Sequence, residues 1–253
     1  MPNRSALVTG GARRIGRAIA LTLAAHGWDV AVHYGTSRDE ADALTDEIRG
    51  RDRRAVALAA DLTREAEVAM LVPRAVEAIG PLALLVNNAS AFDRDDVLNV
   101  TRASWDQHLE TNLRAPFVLM QEFARQLPPG AEGSVVNILD ERVWNLTPYF
   151  TSYTVSKAAL WTLTQTMALA LAPRIRVNGI GPGPTLPSPR QSDEQFQQQV
   201  DLLPLRRGTT PDEIARTVMF ILESPAITGQ MIALDGGQHL NWAPTSRVPP
   251  ASE

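Results

Sequence analysis

A phenol, an amine and a carboxyl group fall at chemically useful spacings between residues 140 and 157. Tyr153 and Lys157 are four residues apart at the start of an apolar run with helical spacing, so both side chains project from one helix face. An ammonium group beside a phenol favours the phenolate and lowers the phenol pKa from about 10 towards working pH. Tyr153 is therefore a candidate proton donor or acceptor.

Asp140 ends a short apolar stretch that begins at Ser134 and is typical of a buried strand. Open α/β sheets bind ligands at the carboxyl ends of their strands, so this carboxyl group is predicted to share a site with Tyr153 and Lys157. Taken alone, the Tyr-x-x-x-Lys pair is more often only the start of an amphipathic helix. The rest of the chain decides between the two interpretations.

Composition limits the possible functions. With 253 residues, of which 44% are hydrophobic, the chain can bury the core of one large domain. The net charge of -4 and the pI near 5.6 give no reason to expect nucleic acid or a membrane surface as a partner. The absence of cysteine excludes disulfides and thiolate chemistry. The four histidines lack metal-ligand spacing, and we predict no metal site.

Targeting signals are also missing from the sequence. The N-terminus enters a predicted strand directly, and no apolar run approaches the roughly 18 to 20 residues of a membrane span. We therefore expect a cytoplasmic protein.

A glycine-rich turn joins the first predicted strand to the first predicted helix. Gly10, Arg14, Ile15 and Gly16 lie in this turn. Such a turn lets backbone N–H groups approach a phosphate at the positive end of the helix. The alternative is a turn that only packs tightly.

The end of the second predicted strand, residues 29 to 34, indicates which nucleotide is bound. NAD-selective sites usually carry an acidic residue there for the ribose 2′-hydroxyl, but this chain has no carboxylate before Asp39. The guanidinium of Arg14 is suited to a phosphate. We predict NADP(H) rather than NAD(H), with Arg14, His33, Tyr34 and Ser37 around the 2′-phosphate.

Strand and helix patterns alternate along the chain with short connections, which predicts right-handed βαβ units and a parallel sheet covered on both faces. Strands are predicted near residues 4–9, 29–34, 54–60, 82–90, 134–140, 174–181 and 230–234, and helices near 16–26, 37–51, 63–79, 104–127, 151–171, 191–202 and 211–222. Pro73 is expected to kink or interrupt its helix, and Pro116 to bend or divide the next one.

We predict one domain over residues 1–242. The proline-rich residues 182 to 189 are suited to a loop that covers the substrate. The tail at residues 243–253 has little apolar content and is predicted to be disordered.

These features together resemble the short-chain dehydrogenase/reductase family from Thr9 to about Leu240. The matching residues are Thr9-Gly10-x-x-x-Arg14-x-Gly16, Asp61-Leu62, Asn87-Asn88-Ala89, Asn112, Tyr153-x-x-x-Lys157, Arg176-Val-Asn178, Pro182-Gly183 and Asp235-Gly236-Gly237. The resemblance implies a Rossmann-type, doubly wound, seven-stranded parallel sheet and commonly a homotetramer.

The resemblance also implies roles for individual residues. Lys157 would hold the nicotinamide ribose and tune Tyr153, and Asn112 would support Lys157 through a water relay. Further cofactor contacts would come from Asp61, Leu62, Asn88, Ala89, Ser90, Tyr153, Pro182 and Gly183.

Two departures point to one branch of the family. Arg14 stands where glycine is usual, and Asp140 stands thirteen residues before Tyr153, where most members have serine. With His33-Tyr34 and residues 87 to 92, they resemble the pteridine reductases and the bacterial dihydromonapterin and dihydrofolate reductases. The resemblance would make Phe92 stack on a pterin, with Ser90 and Arg14 also at the substrate. The alternative for Phe92 is a loop residue that packs on the core.

The aspartate has a chemical consequence. A serine hydroxyl can donate a hydrogen bond to a ketone oxygen, whereas a carboxylate cannot donate and repels that oxygen. Asp140 can instead accept from ring or amino N–H groups and, by opposing Lys157, help to keep Tyr153 protonated. We therefore predict NADPH-dependent reduction of a pteridine C=N bond, of the dihydropterin, dihydromonapterin or dihydrofolate type, with Tyr153 as proton donor. The alternatives are a ketone or 3-oxoacyl reductase of the same family and a non-catalytic NADP(H)-binding scaffold.

Overall fold

Seven parallel strands form a single sheet in the computed structural model of the chain, which describes residues 4 to 188 and 191 to 240. The sheet order is β3-β2-β1-β4-β5-β6-β7. The strands are β1 (Ser5–Val8), β2 (Asp29–Tyr34), β3 (Ala55–Ala59), β4 (Leu84–Asn87), β5 (Gly133–Ile138), β6 (Ile175–Pro182) and β7 (Met231–Leu234). The predicted doubly wound, seven-stranded, single-domain fold is confirmed.

Eight α-helices connect or flank these strands in the described part of the chain. They are α1 (Arg14–Ala25), α2 (Arg38–Arg49), α3 (Glu65–Ile79), α4 (Arg102–Leu109), α5 (Ala115–Gln126), α6 (Thr151–Leu171), α7 (Asp193–Asp201) and α8 (Pro211–Glu223). No helix among the described residues has the length and apolar character that a membrane crossing requires.

Alternation along the strands divides the core into two layers, because successive side chains of a strand point to opposite faces. On one face, Ala6 and Val8 of β1 pack with α1, α2 and α8. On the other, Leu7 packs with α3, α5 and α6. Both faces of the sheet are thus covered by helices, as the apolar strand patterns predict.

The strand order reverses between β1 and β4, and side chains join the two strand ends. The backbone N–H groups of Asn88 and Ala89 donate to Thr9 Oγ1 over 2.9 and 3.0 Å. Asn88 Nδ2 donates to the carbonyl oxygen of Thr9 over 2.8 Å. A crevice at such a reversal is where open α/β sheets bind ligands.

The two prolines behave differently. Of the predicted kink or interruption at Pro73, the interruption is wrong, because α3 runs from Glu65 to Ile79 without a break. Pro73 is exposed, so the carbonyl group that loses its N–H partner there can be hydrated. The predicted division near Pro116 is confirmed: a π-helical turn, Glu110–Arg114, separates α4 from α5, and Pro116 lies in the first turn of α5. Proline is tolerated there because its missing N–H group would have no helical partner.

Two predicted regions extend beyond the described residues. The tail at residues 243–253 lies outside them, as does Pro189 at the end of the proline-rich segment.

Candidate active site

The predicted tyrosine and aspartate meet in the structure. Tyr153, in the first turn of α6, donates from its hydroxyl to Asp140 Oδ2 over 2.7 Å. Asp140 follows β5, and its other carboxylate oxygen accepts from the backbone N–H of Arg142 over 2.9 Å. The carboxylate is therefore fixed from two sides and holds the hydroxyl proton on Tyr153.

Lys157 lies one helical turn further along α6 and is almost completely buried. Its Nζ donates to the carbonyl oxygen of Ile138 over 2.8 Å and lies 5.8 Å from the centre of the Tyr153 ring. Burial lowers the pKa of Lys157 to about 8, although the Asp140 carboxylate acts in the opposite direction.

The pKa of Tyr153 differs from the expectation based on Lys157. Burial, and then the charge of Asp140 and its hydrogen bond, raise this pKa well above the usual value near 10. The expected lowering by the neighbouring ammonium is wrong, because desolvation and the carboxylate outweigh it. The expectation that Asp140 keeps Tyr153 protonated agrees with the structure.

Asn112 lies in the π-helical turn and is almost completely buried. Its Nδ2 donates to Ala91 O and Ser156 Oγ, both over 3.0 Å, while its Oδ1 accepts from the Ala91 N–H over 2.8 Å and from Ser90 Oγ over 3.2 Å. The side chain thus joins the loop after β4 to α6. The predicted water relay to Lys157 stays a prediction.

Phe92 belongs to an aromatic cluster beside Tyr153. Its ring is stacked on Phe150, with centroids 4.7 Å apart and an interplanar angle of 3°, and meets the Tyr153 ring edge-on at 4.7 Å. The side chain is 41% exposed and is not part of the hydrophobic core. The alternative interpretation, in which Phe92 is a loop residue packed on the core, is therefore not supported. Part of the Phe92 surface is accessible.

A buried polar network supports this cluster. The Asp95 carboxylate accepts from the backbone N–H and the hydroxyl of Ser152. Ser152 Oγ lies 2.7 Å from His108 Nδ1, and the Asp93 N–H donates to His108 Nε2 over 3.0 Å. Because Nε2 is an acceptor, a neutral His108 carries its proton on Nδ1 and donates it to Ser152. The network connects α4, α6 and the loop that carries Phe92.

Phe150 is held in an unusual backbone conformation at the start of α6. Its φ of 60° and ψ of 48° are left-handed, and its N–H donates to Asp95 O over 2.7 Å. A bulky residue rarely adopts this conformation, which costs on the order of 1–3 kcal/mol. The bond to Asp95 helps to hold the ring against Phe92.

Glu141 adds a second carboxyl group next to Asp140. It is buried, and its Oε2 has no hydrogen-bond partner among the described residues. Burial, and then the negative charge of Asp140, raise its pKa to about 8, with a smaller rise from Asp235 and an opposing effect of Arg142. Glu141 is therefore mostly protonated at neutral pH.

The predicted nucleotide site is a groove of about 670 Å³ at the carboxyl ends of β1 to β4. This volume is in the range of small-molecule sites. Of the predicted cofactor residues, the groove is lined by Gly10, Arg14, Ile15, Gly16, His33, Tyr34, Ser37, Asp61, Leu62, Asn88, Ala89 and Ser90. Tyr153, Lys157, Pro182 and Gly183 lie outside its lining, on the side of β5 and β6.

The groove fits a phosphate-bearing dinucleotide. A Cβ atom on Gly16 would lie 2.2 Å from Gly10 O and 2.6 Å from Asn88 Nδ2, so only glycine keeps this turn closed. At the end of β2 the lining consists of Tyr34, Gly35, Thr36 and Ser37, with no carboxylate to repel a 2′-phosphate.

His33 is placed differently from the prediction. Its Nδ1 accepts from the Gly10 N–H over 3.0 Å and its Nε2 donates to Ala60 O, 3.1 Å away, so both ring nitrogens are used. Burial lowers its pKa to about 4. We correct its role from a phosphate ligand to a neutral support for the glycine turn.

Arg14 has the left-handed backbone, φ 53°, that favours glycine, the residue usual at its position. Its guanidinium donates to the carbonyl oxygens of Pro187 over 3.1 Å and Leu186 over 3.3 Å. The side chain thus reaches from the groove to the proline-rich segment. Arg14 was predicted to contact both the cofactor and the substrate, and its side chain lies between the two predicted sites.

Comparisons with known proteins identify the family. A family model described as Enoyl-(Acyl carrier protein) reductase matches residues 10–239. The 3-oxoacyl-[acyl-carrier-protein] reductase FabG of Staphylococcus epidermidis is 34% identical over 243 residues, which cover 94% of this chain and 100% of that protein. The chain belongs to the short-chain dehydrogenase/reductase family.

Two solved structures have the same fold as this chain. FolM alternative dihydrofolate reductase 1 from Brucella suis, in complex with NADP, has a TM-score of 0.93 and 52% identity, covering 96% of this chain and 98% of that one. The FolM structure from Brucella canis, also with NADP, has a TM-score of 0.91 and 49% identity, with 99% and 98% coverage. Both contain the cofactor predicted from the sequence.

Several residues of this short-chain dehydrogenase/reductase site were not predicted. Asp95, His108, Arg142, Phe150 and Ser152 are far apart in sequence or in irregular loops, and no short motif connects them. The nearest available signal is the position of Arg142, Phe150 and Ser152 inside the segment from Asp140 to Lys157, which contains the predicted proton donor.

Proposed function

We propose that the chain is an NADPH-dependent reductase of a pteridine C=N bond, of the dihydropterin, dihydromonapterin or dihydrofolate type. The observation that carries this proposal is the 2.7 Å hydrogen bond from the Tyr153 hydroxyl to the Asp140 carboxylate. This bond supports a site in which Tyr153 is the proton donor and the neighbouring Asp140 accepts hydrogen bonds.

The cofactor would be held mainly by the glycine turn, the groove residues of β2 and β3, and Lys157. When bound, NADPH supplies the hydride. Arg14 and Ser37 are the proposed ligands of its 2′-phosphate, because the groove has a cation and a hydroxyl there and no carboxylate at the end of β2.

Tyr153 is suited to donating a proton. Its raised pKa means that the phenol is protonated over the whole physiological pH range. Asp140 retains that proton on the tyrosine oxygen, and Lys157 supplies nearby positive charge. A substrate nitrogen that gains negative charge during reduction becomes a better acceptor than Asp140 and takes the proton.

Asp140 favours a C=N substrate over a ketone. A carboxylate accepts hydrogen bonds and cannot donate one to a carbonyl oxygen, so it matches the ring and amino N–H groups of a pterin. The accessible surface of Phe92 offers an aromatic surface for a planar ring. The two FolM structures named above as dihydrofolate reductases support the same assignment.

A 3-oxoacyl reductase is the second candidate, because the FabG relative aligns along nearly the whole chain. That reaction needs a hydrogen-bond donor to the ketone oxygen beside Tyr153. Asp140 stands where most family members have serine, so this chain lacks the usual second donor at that position.

A substrate panel separates the two candidates. NADPH oxidation is measured with 7,8-dihydrobiopterin, dihydromonapterin and dihydrofolate, and in parallel with a 3-oxoacyl thioester. We expect turnover of at least one pteridine and little turnover of the thioester. Faster reduction of the thioester than of every pteridine would refute the proposal.

The Asp140→Ser variant tests whether Asp140 determines the preference for a pteridine over a thioester. Losing the acceptor is expected to lower kcat/KM for the pteridine by about a hundredfold, while reduction of the thioester rises or is unchanged. As a control, the NADPH Kd of the variant is measured by fluorescence titration; an unchanged Kd shows that the nucleotide groove is intact.

A further inference from the structure

Arg142 is a cation held directly beside the reacting groups. Its backbone N–H donates to Asp140 Oδ1 over 2.9 Å, which fixes the start of its side chain next to the catalytic carboxylate. Its guanidinium carbon lies 4.9 Å from the Phe150 ring centroid, 5.8 Å from that of Phe92 and 5.9 Å from that of Tyr153. Three aromatic rings therefore surround one charge at the predicted substrate position.

The hydrogen-bonding capacity of this guanidinium is largely unused. Arg142 Nε and Nη1 are both buried and have no hydrogen-bond partner within residues 4–188 and 191–240. Arginine cannot lose its proton, and buried donors in folded proteins are nearly always paired. Because neither nitrogen is exposed, a ligand acceptor reaches them when the ligand displaces part of the aromatic cluster around the guanidinium, and it then supplies their missing partners.

The neighbouring carboxyl groups do not satisfy these nitrogens. Asp140 accepts from the Tyr153 hydroxyl and from the Arg142 backbone. Glu141, the next residue, has a raised pKa of about 8, so it is mostly uncharged at neutral pH. The positive charge therefore has no carboxylate hydrogen bond in the described part of the chain.

We propose that Arg142 binds the substrate directly, donating to hydrogen-bond acceptors of a planar heterocycle whose ring lies on Phe92. This inference rests on the proposed function and names the group that selects its substrate. Pteridines carry a carbonyl oxygen, ring nitrogens and, in several members, a hydroxylated side chain. A 3-oxoacyl chain has no aromatic ring to lie on Phe92 and fewer acceptors, so Arg142 and Phe92 together favour the heterocycle.

Two substitutions of Arg142 test the contact. Arg142→Met removes the charge and the donors but keeps an unbranched apolar stem, whereas Arg142→Lys keeps the charge. The matched control is Arg94→Met, because Arg94 also lies over an aromatic ring, Tyr149 at 5.0 Å, but is exposed to solvent. All three variants are compared with the unsubstituted enzyme.

The measurements are kcat and KM with two probes, 7,8-dihydrobiopterin and 6-methyl-7,8-dihydropterin, together with the NADPH Kd and the Tm. Arg142→Met is expected to lower kcat/KM about ten- to a hundredfold with little change in the NADPH Kd, and Arg142→Lys to retain part of the activity. Arg94→Met is expected to behave like the unsubstituted enzyme. A loss shared by both probes assigns the contact to the ring, and a loss confined to dihydrobiopterin assigns it to the side-chain hydroxyls; either supports the proposal.

Two results would overturn it. An Arg142→Met variant with unchanged kcat/KM shows that the guanidinium does not touch the substrate. Parallel losses of Tm, NADPH binding and activity in both Arg142 variants show that it only clamps the aromatic rings. An unsubstituted enzyme that reduces no pteridine contradicts the proposed function itself, which distinguishes that failure from a failure of the arginine contact alone.

Discussion

The nucleotide groove and the reaction site are built by different means. The groove depends on backbone: a glycine turn whose closure leaves no room for a Cβ atom, supported by Thr9, Asn88 and the buried ring of His33. The reaction site depends on side chains from distant segments, such as Asp95 and Ser152, which are 57 residues apart. Substitutions of a few loop side chains are therefore expected to alter the reaction site while the groove stays the same.

In each region, burial shifts the pKa of one ionisable side chain and keeps that side chain uncharged. In the groove, burial keeps His33 neutral, with a pKa of about 4. At the reaction site, burial keeps Glu141 protonated, with a pKa of about 8. Acid should therefore disturb the first region and alkali the second, which makes the comparison testable.

Tyr153→Phe tests the reaction site alone and should give the largest effect. Removing the hydroxyl removes the proposed proton donor, so kcat is expected to fall by about 10²- to 10⁴-fold. The NADPH Kd should change less than about twofold, since Tyr153 does not line the groove. Steady-state kinetics and a fluorescence titration measure the two quantities. Full turnover by this variant would contradict the proton-donor assignment.

Gly16→Ala tests the groove alone. The added Cβ atom would meet Gly10 O at 2.2 Å, so the turn must open, at a cost of about 3 kcal/mol in unfolding free energy and with weaker NADPH binding. The control is Gly50→Ala, where the nearest atom, Glu47 O, lies at an ordinary 3.4 Å. Denaturant titration and the NADPH Kd are the measurements, and equal behaviour of the two variants would count against a backbone-determined groove.

Ser152→Ala tests the network behind the aromatic cluster. It leaves buried His108 Nδ1 without its partner, and Asp95 Oδ2 keeps only the longer 3.5 Å bond from Ser104 Oγ, which is expected to cost about 2 kcal/mol of stability. Because the loop carrying Phe92 loosens, KM for the pteridine should rise several-fold more than the NADPH Kd. A change in stability with an unchanged KM would show that the network does not position the substrate site.

Glu141→Gln tests how the shifted pKa values of the two regions affect stability at different pH. The folded pKa of Glu141 is raised, so its contribution to stability is fully present below about pH 4.5 and is lost as pH rises through about 8. His33 has a lowered pKa, and its contribution is lost only as pH falls from 6.5 towards 4.

The window from pH 6.5 to 8 therefore separates Glu141 from His33, while Lys157, whose pKa is also about 8, is present in both proteins being compared. There the unsubstituted protein should lose about 2 kcal/mol of unfolding free energy relative to Glu141→Gln. Denaturant titrations of both proteins at the two pH values give this difference. Parallel pH dependence of the two proteins would place the carboxyl group in contact with water.

Secondary structure was most predictable where the apolar pattern is long. The predicted bounds of β2 and α6 are the same as those found, because β2 is buried along almost its whole length and α6 repeats apolar residues over five turns. β4 is shorter than the predicted residues 82–90, because its paired residues end at Asn87 and the chain then turns into the crevice. Apolar composition does not show where a ladder of backbone hydrogen bonds ends.

The site was predictable only where spacing determines contact. Tyr153 and Lys157 share a helix face, and Asp140 follows a strand, so their meeting follows from local geometry. For the Tyr153 pKa, the sequence predicted the effect of Asp140 but not that of burial, which is the largest cause of the rise and depends on tertiary packing. The cluster of Phe92, Phe150 and Arg142 likewise results from loops whose conformation is set by tertiary contacts.

Arg14 belongs to both regions. Its backbone forms part of the glycine turn, while its guanidinium is bound to the carbonyl oxygens of Leu186 and Pro187. A guanidinium has five N–H groups, and these two bonds use two of them, so Arg14 can bind a phosphate and the proline-rich segment together. A bound 2′-phosphate would then immobilise the side chain that anchors Leu186 and Pro187, and we expect ordered binding, with the coenzyme first, as the kinetic consequence.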